Sequence, residues 1–171
     1  MTDIFGPPTA SFADVLTRAK AVPASALFVS EMMPAAWRAA VAHGINPVVQ
    51  IAQMAHETGW GNYGGAVLPW FHNPCGLKIR DTNKLAGATG DLPLAHAQFG
   101  SWDAGCMAHS QHLLGYGQRS QNPGEPILSA RLVWLAGKPA VSTVEGLGGR
   151  WAPSALYGEK VAAVVRRLEG K

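Results

Sequence analysis

Between Asn46 and Gly61 the apolar and polar positions repeat with helical period. Asn46 offers a side-chain cap, and Pro47 suits a first helical position, where a missing backbone N–H costs nothing. At about 100° per residue, Val48, Ile51, Ala52 and Ala55 share a stripe suited to a core, with Gln50, Gln53 and Glu57 opposite. Gly59 and Gly61 then stop the helix, leaving Glu57 in its last turn beside carbonyl oxygens that carry partial negative charge. A carboxylate is electrostatically disfavoured there, and exclusion of water would add desolvation; both raise its pKa and favour the protonated form. Such a group is suited to give up a proton. The plainer reading is a solvated glutamate at a helix end.

Other segments follow the same logic. Ser11 caps a first helix whose apolar face is Phe12, Val15, Leu16 and Ala19, and Pro23 ends it. Residues 25–43 carry Leu27, Phe28, Met32, Trp37 and Val41 and predict two helical pieces divided at Pro34. Further helices are predicted over 103–114, 126–136 and 154–168, the last with Val161, Val164, Val165 and Leu168 inward. From 77 to 99 the helical period is lost: Leu77 and Ile79 alternate with Lys78 and Arg80, and Gly87, Gly90 and Pro93 mark turns. A small lobe of two or three strands is expected there, making the chain mainly α with an α+β character.

Composition narrows the picture. The 171 residues, 47% hydrophobic, suffice for one well-packed domain over 1–171 and are too few for two. A charge of +3 and a pI of 9.1 favour approach to an anionic polymer. No basic run exceeds Arg166-Arg167, and no helix carries a basic stripe with interleaved aromatics, so a nucleic-acid partner is not supported. No stretch approaches the roughly 18 apolar residues of a membrane span. Asp3 stands where a signal peptide would carry a basic residue, so synthesis in the cytoplasm without a signal peptide is expected. Cys75 and Cys106 permit at most one disulfide, and two buried free thiols are expected.

Rival chemistries find little support. His56-Glu57 lacks the second histidine of a zinc-peptidase helix. His109 and His112 lie three apart on a predicted helix without a third ligand, which reads as a surface pair. Cys75, with His96 or His72, lacks the helix start that would lower a thiol pKa.

Four motifs in order carry a resemblance. Glu57-x-x-Trp60-Gly61, a glycine-rich gap and Asn73-x-x-Gly76-Leu77-Lys78 are followed by residues 98–103 around Phe99 and Trp102, and then by 151–161 from Trp151 through Tyr157 to Val161. Over about 12–168 the chain resembles the bacterial and phage β-N-acetylglucosaminidases of glycoside hydrolase family 73, which cleave peptidoglycan glycan strands. The resemblance implies a lysozyme-like helical domain with a small β-hairpin lobe flanking the active-site cleft. It implies an endo-acting enzyme that cuts the β-1,4 bond between N-acetylglucosamine and N-acetylmuramic acid, with Glu57 as general acid and no metal or organic cofactor. A muramidase or lytic transglycosylase on the same architecture is the nearer alternative, and a non-catalytic peptidoglycan-binding module the plainer one.

The resemblance also assigns roles. Asp91 is the candidate second carboxylate, with Asp81 and Asp103 the other acids nearby; otherwise polar groups direct water, or the substrate's acetamido group attacks. Trp60 shapes the cleft wall or anchors the core. Trp102 and Trp151 occupy family tyrosine positions and are candidate substrate-binding residues; the indole of Trp151 can keep a sugar-stacking surface, but it donates a hydrogen bond and accepts none. Tyr157 contacts substrate or packs. Asn73 orients a turn or meets an N-acetyl group, and the turn is favoured. The expected partner is peptidoglycan, acted on by a monomer, with no membrane or nucleic acid. Delivery to the periplasm or cell wall then falls to a phage release system, a toxin-injecting secretion system or a longer parent chain.

Overall fold

The computed structural model describes residues 1–79, 93–129 and 132–171. Helix α1, Phe12–Lys20, begins where Ser11 Oγ accepts from the Asp14 amide at 3.2 Å and buries Val15 and Ala19. A single π-helical segment, Phe28–Met32, runs directly into α2, Met33–Ala42. The expected division near Pro34 is therefore a change of winding rather than a break. Pro34 has no N–H for an α-helical bond, and the Met33 amide reaches back to the Phe28 carbonyl just before it.

The next helix, α3, is Pro47–Thr58: Asn46 Oδ1 accepts from the Val48 amide at 3.0 Å, and Gly59, at φ 57°, closes it in the left-handed conformation. α4, Trp102–Tyr116, is capped by Ser101 and lies almost wholly inside the molecule. α3 packs against α2 and against α6, Tyr157–Glu169, while α2 also packs on α4 and α1 on α6.

This arrangement encloses most of the polar side of α3. Of the three polar residues on that side, Gln50 and Gln53 are fully buried and Glu57 keeps an exposed edge. α4 satisfies the Gln50 amide, whose Nε2 donates to the Cys106 carbonyl at 3.0 Å and whose Oε1 accepts from Ser110 Oγ at 2.8 Å, while Gln53 meets His109 of α4 and Tyr157 of α6. A buried amide is tolerated when both ends find partners.

Two further boundaries move for similar reasons. The helix predicted over 126–136 is present only as α5, Leu132–Leu135, among the described residues. Residues 126–129 are instead captured by Gln111 of α4, whose Nε2 donates to the Pro126 carbonyl and whose Oε1 accepts from the Leu128 and Ser129 amides. α6 begins at Tyr157 rather than 154, since the Ser154 carbonyl accepts from both the Gly149 and Tyr157 amides.

In place of the expected β-hairpin lobe the described residues form no strand, only one isolated antiparallel bridge, Lys78 to His96, flanked by bonds from Ile79 to Ala95 and from Ala97 to Leu77. Residues 80–92, with Asp81 and Asp91, lie outside the described residues. Among those described, no helix is long and apolar enough to cross a membrane.

Candidate active site

The left-handed turn at Gly59 leaves Glu57 at the C-terminal end of α3, on the wall of a cavity of about 260 Å³ shared with Tyr63, Asn73 and Gly76. Two donors from the far end of the chain converge on one of its oxygens. Tyr157 Oη donates to Oε1 at 2.5 Å and Trp151 Nε1 donates to the same atom at 2.8 Å. Oε2 accepts no hydrogen bond from the described residues. Although Glu57 keeps an exposed edge on the cleft, protein packed about the carboxyl displaces enough water to raise its pKa. The bonds from Tyr157 and Trp151 pull the other way and are outweighed.

Both donors are held by buried structure. Tyr157 opens α6 and also accepts from Gln53 Nε2 at 2.9 Å. Burial, followed by the Glu57 charge, drives its hydroxyl pKa upward, so it stays protonated. The Trp151 indole lies against His109, His112 and Tyr116 of α4, with ring centroids 5.6, 5.0 and 5.5 Å away. Tyr116 Oη also donates to the Arg150 carbonyl at 2.8 Å, fixing the loop that carries Trp151. Across Gly76 a smaller cavity of about 100 Å³ is lined by Lys78, His112, Arg150 and Trp151.

Other sequence candidates fall in different places. Asn73 is buried, and its side chain is taken up by backbone: Nδ2 donates to the Leu77 and Ala97 carbonyls, each at 2.9 Å, and Oδ1 accepts from the Leu77 amide at 2.9 Å. Trp60 packs edge-on against Phe28, 5.7 Å between centroids, and is not among the residues lining the Glu57 cavity. Trp102 starts α4, buried edge-on against His72, and lines a separate cavity with Asp103. Asp103 is paired with Arg38 at 2.7 Å. Asp91 lies outside the described residues.

The histidines and cysteines also resolve. His109 and His112 are buried, not a surface pair. Cys75 and Cys106 are free and buried, and burial raises both thiol pKa values, which removes the thiolate that a cysteine nucleophile requires. Sequence reasoning missed Gln53 and His109 as parts of the site. The four-residue step from Gln53 to Glu57 placed them on one helix face, whereas nothing local marked His109.

A helix-end carboxyl with a raised pKa, open to a cleft and held by two donors, is suited to give up a proton. The Glucosaminidase family model, described as mannosyl-glycoprotein endo-beta-N-acetylglucosaminidase, matches residues 33–170, and the chain belongs to this family. The match contains Glu57, Trp151 and Tyr157. The catalytic domain of the autolysin Auto from Listeria monocytogenes shares the fold, with a TM-score of 0.52 at 18% identity over 95% of this chain and 98% of that one. An uncharacterized protein of Borreliella burgdorferi is 30% identical over 125 residues, which cover 73% of this chain and 55% of that relative. The chain thus spans about half the length of that relative.

Proposed function

We propose that this protein is an endo-β-N-acetylglucosaminidase of peptidoglycan, cutting the β-1,4 bond between N-acetylglucosamine and N-acetylmuramic acid with Glu57 as general acid. The observation that carries the reading is the asymmetry of the Glu57 carboxyl. Oε1 is committed to Tyr157 and Trp151, so a proton held by the carboxyl resides on Oε2, where no protein group among the described residues competes for it. Substrate in the adjoining cleft presents its glycosidic oxygen to that proton. Protonation stabilises the leaving group as charge like that of an oxocarbenium ion develops on the sugar.

Asp91 is our candidate for the second carboxylate, and Asp91→Asn tests it by loss of turnover with retained substrate binding. Family membership supports glycan cleavage, and the Listeria protein that shares the fold is an autolysin, which supports a cell-wall substrate.

The test is mass spectrometry of purified peptidoglycan digested by the protein and then reduced with borohydride to mark new ends. Reduced N-acetylglucosamine is the expected product. Reduced muramic acid or an anhydro-muramic end would reassign the bond, and free stem peptides would overturn the glycosidase reading. Glu57→Gln is expected to lower turnover by about 10²–10⁴-fold, the usual contribution of a general acid, with the fold intact. Wild-type turnover in that variant would sink the mechanism.

A further inference from the structure

Behind the carboxyl lies a chain of buried polar groups running from α4 through α3 to α6. His109 Nε2 lies 2.8 Å from Gln53 Oε1, Gln53 Nε2 lies 2.9 Å from Tyr157 Oη, and Tyr157 Oη reaches Glu57 Oε1. His109 and Gln53 are completely buried and Tyr157 nearly so. We propose that Gln53 and His109 are positioning residues that act through Tyr157, setting the direction of this chain so that the transferable proton of Glu57 sits on Oε2. The proposal rests on the reading of Glu57 as general acid.

Each link carries one proton, so the chain has two self-consistent directions. In the first, His109 Nε2–H donates to Gln53 Oε1, Gln53 Nε2–H donates to Tyr157 Oη, and Tyr157 O–H donates to Glu57 Oε1. The carboxyl proton must then be on Oε2, toward the cleft. In the second, every link is reversed. Glu57 Oε1 carries the proton and gives it to Tyr157, Tyr157 donates to a flipped Gln53, and Gln53 donates to His109 Nε2. A proton held that way points away from substrate.

The two directions differ at the closed end. His109 Nδ1 is buried and has no hydrogen-bond partner among the described residues. The reversed chain needs neutral His109 protonated at Nδ1, a buried N–H donating to nothing, and orphaned buried donors are rarer in proteins than under-used acceptors. The forward chain leaves only a bare ring nitrogen there. Burial pushes the His109 pKa down to about 3, so a doubly protonated ring, which would donate at both ends, is not populated near neutral pH. The orphaned nitrogen therefore selects the forward direction, and Gln53 transmits it across the helix interface.

Two measurements test this, one of them independent of turnover. Imidazole ¹⁵N–¹H correlation spectra of the wild-type protein are expected to show His109 as the neutral Nε2–H tautomer; the Nδ1–H tautomer would overturn the proposal. In kinetics on peptidoglycan, Gln53→Met removes the donor to Tyr157 without adding charge. We expect kcat to fall about tenfold with KM unchanged, and the basic limb of the kcat profile to move to higher pH because Tyr157 is no longer held on Oε1. The other titratable groups around the Tyr157–Glu57 pair do not imitate that limb. The His56 ring beside Tyr157 is lowered by burial and by Lys160, the Cys75 thiol is raised, and His109 stays neutral.

If Gln53 acts through Tyr157, adding Gln53→Met to Tyr157→Phe produces no further loss. Additive losses would assign Gln53 a packing role and overturn the proposal. A wild-type protein that releases no new sugar ends would refute the glucosaminidase reading instead, while the tautomer measurement would still decide the direction of the chain.

Discussion

At Glu57 two opposing influences meet on one carboxyl. Surrounding protein favours the neutral acid, and the hydrogen bonds from Tyr157 and Trp151 favour the anion. Trp151→Phe keeps an aromatic face for α4 to pack against and removes one of those bonds. The Glu57 pKa should rise further and, with Glu57 as the proposed general acid, the basic limb of the pH–rate profile should move to higher pH, because such an acid is lost as pH rises through its pKa. Stability carries the same sign. A carboxyl whose folded pKa is raised above its unfolded value binds more protons when folded, so its presence weakens the fold as pH climbs through that window. Glu57→Gln is therefore expected to melt at a higher temperature than wild type at neutral pH. The gap should close below the ordinary carboxylate range, and calorimetry across pH measures it.

Among the elements, α4 organises what α3 presents. His109 feeds Gln53, the rings of His109, His112 and Tyr116 bed Trp151, and Gln111 holds the 126–129 segment. Gln111→Leu leaves the Pro126 carbonyl and the Leu128 and Ser129 amides without their partner, which should cost about 2–4 kcal/mol in urea unfolding. α4 also approaches the Asn73 loop closely at Gly105, where an added Cβ would collide with the His72 backbone carbonyl. Gly105→Ala should displace that loop and destabilise by about 1–3 kcal/mol. Because Asn73 lines the Glu57 cavity, KM is the kinetic parameter expected to move. Neither constraint was legible in the sequence, since each depends on a contact between segments distant along the chain. Two caps were legible: Ser11 and Asn46 each bond an amide within three residues of themselves.

Across the whole molecule, burial decides which reactive groups act. The thiols of Cys75 and Cys106 should resist a thiol reagent such as DTNB in the native protein and react together on unfolding. Rapid native labelling of either would show that the packing around it opens in solution. By itself the sequence determined what one or two helical turns can decide: the start of α3 at Pro47, its stop at Gly59, and a carboxylate left at a helix end. It also carried the ordered motifs that placed the chain in its family. The tertiary structure alone decided what that carboxylate touches. Its two donors lie 94 and 100 residues further along the chain, and Gln50 and Gln53 of α3 are buried because α4 and α6 offer them partners. Helix signals are local because backbone bonds reach only four residues, whereas burial and side-chain pairing are set by which elements meet in space.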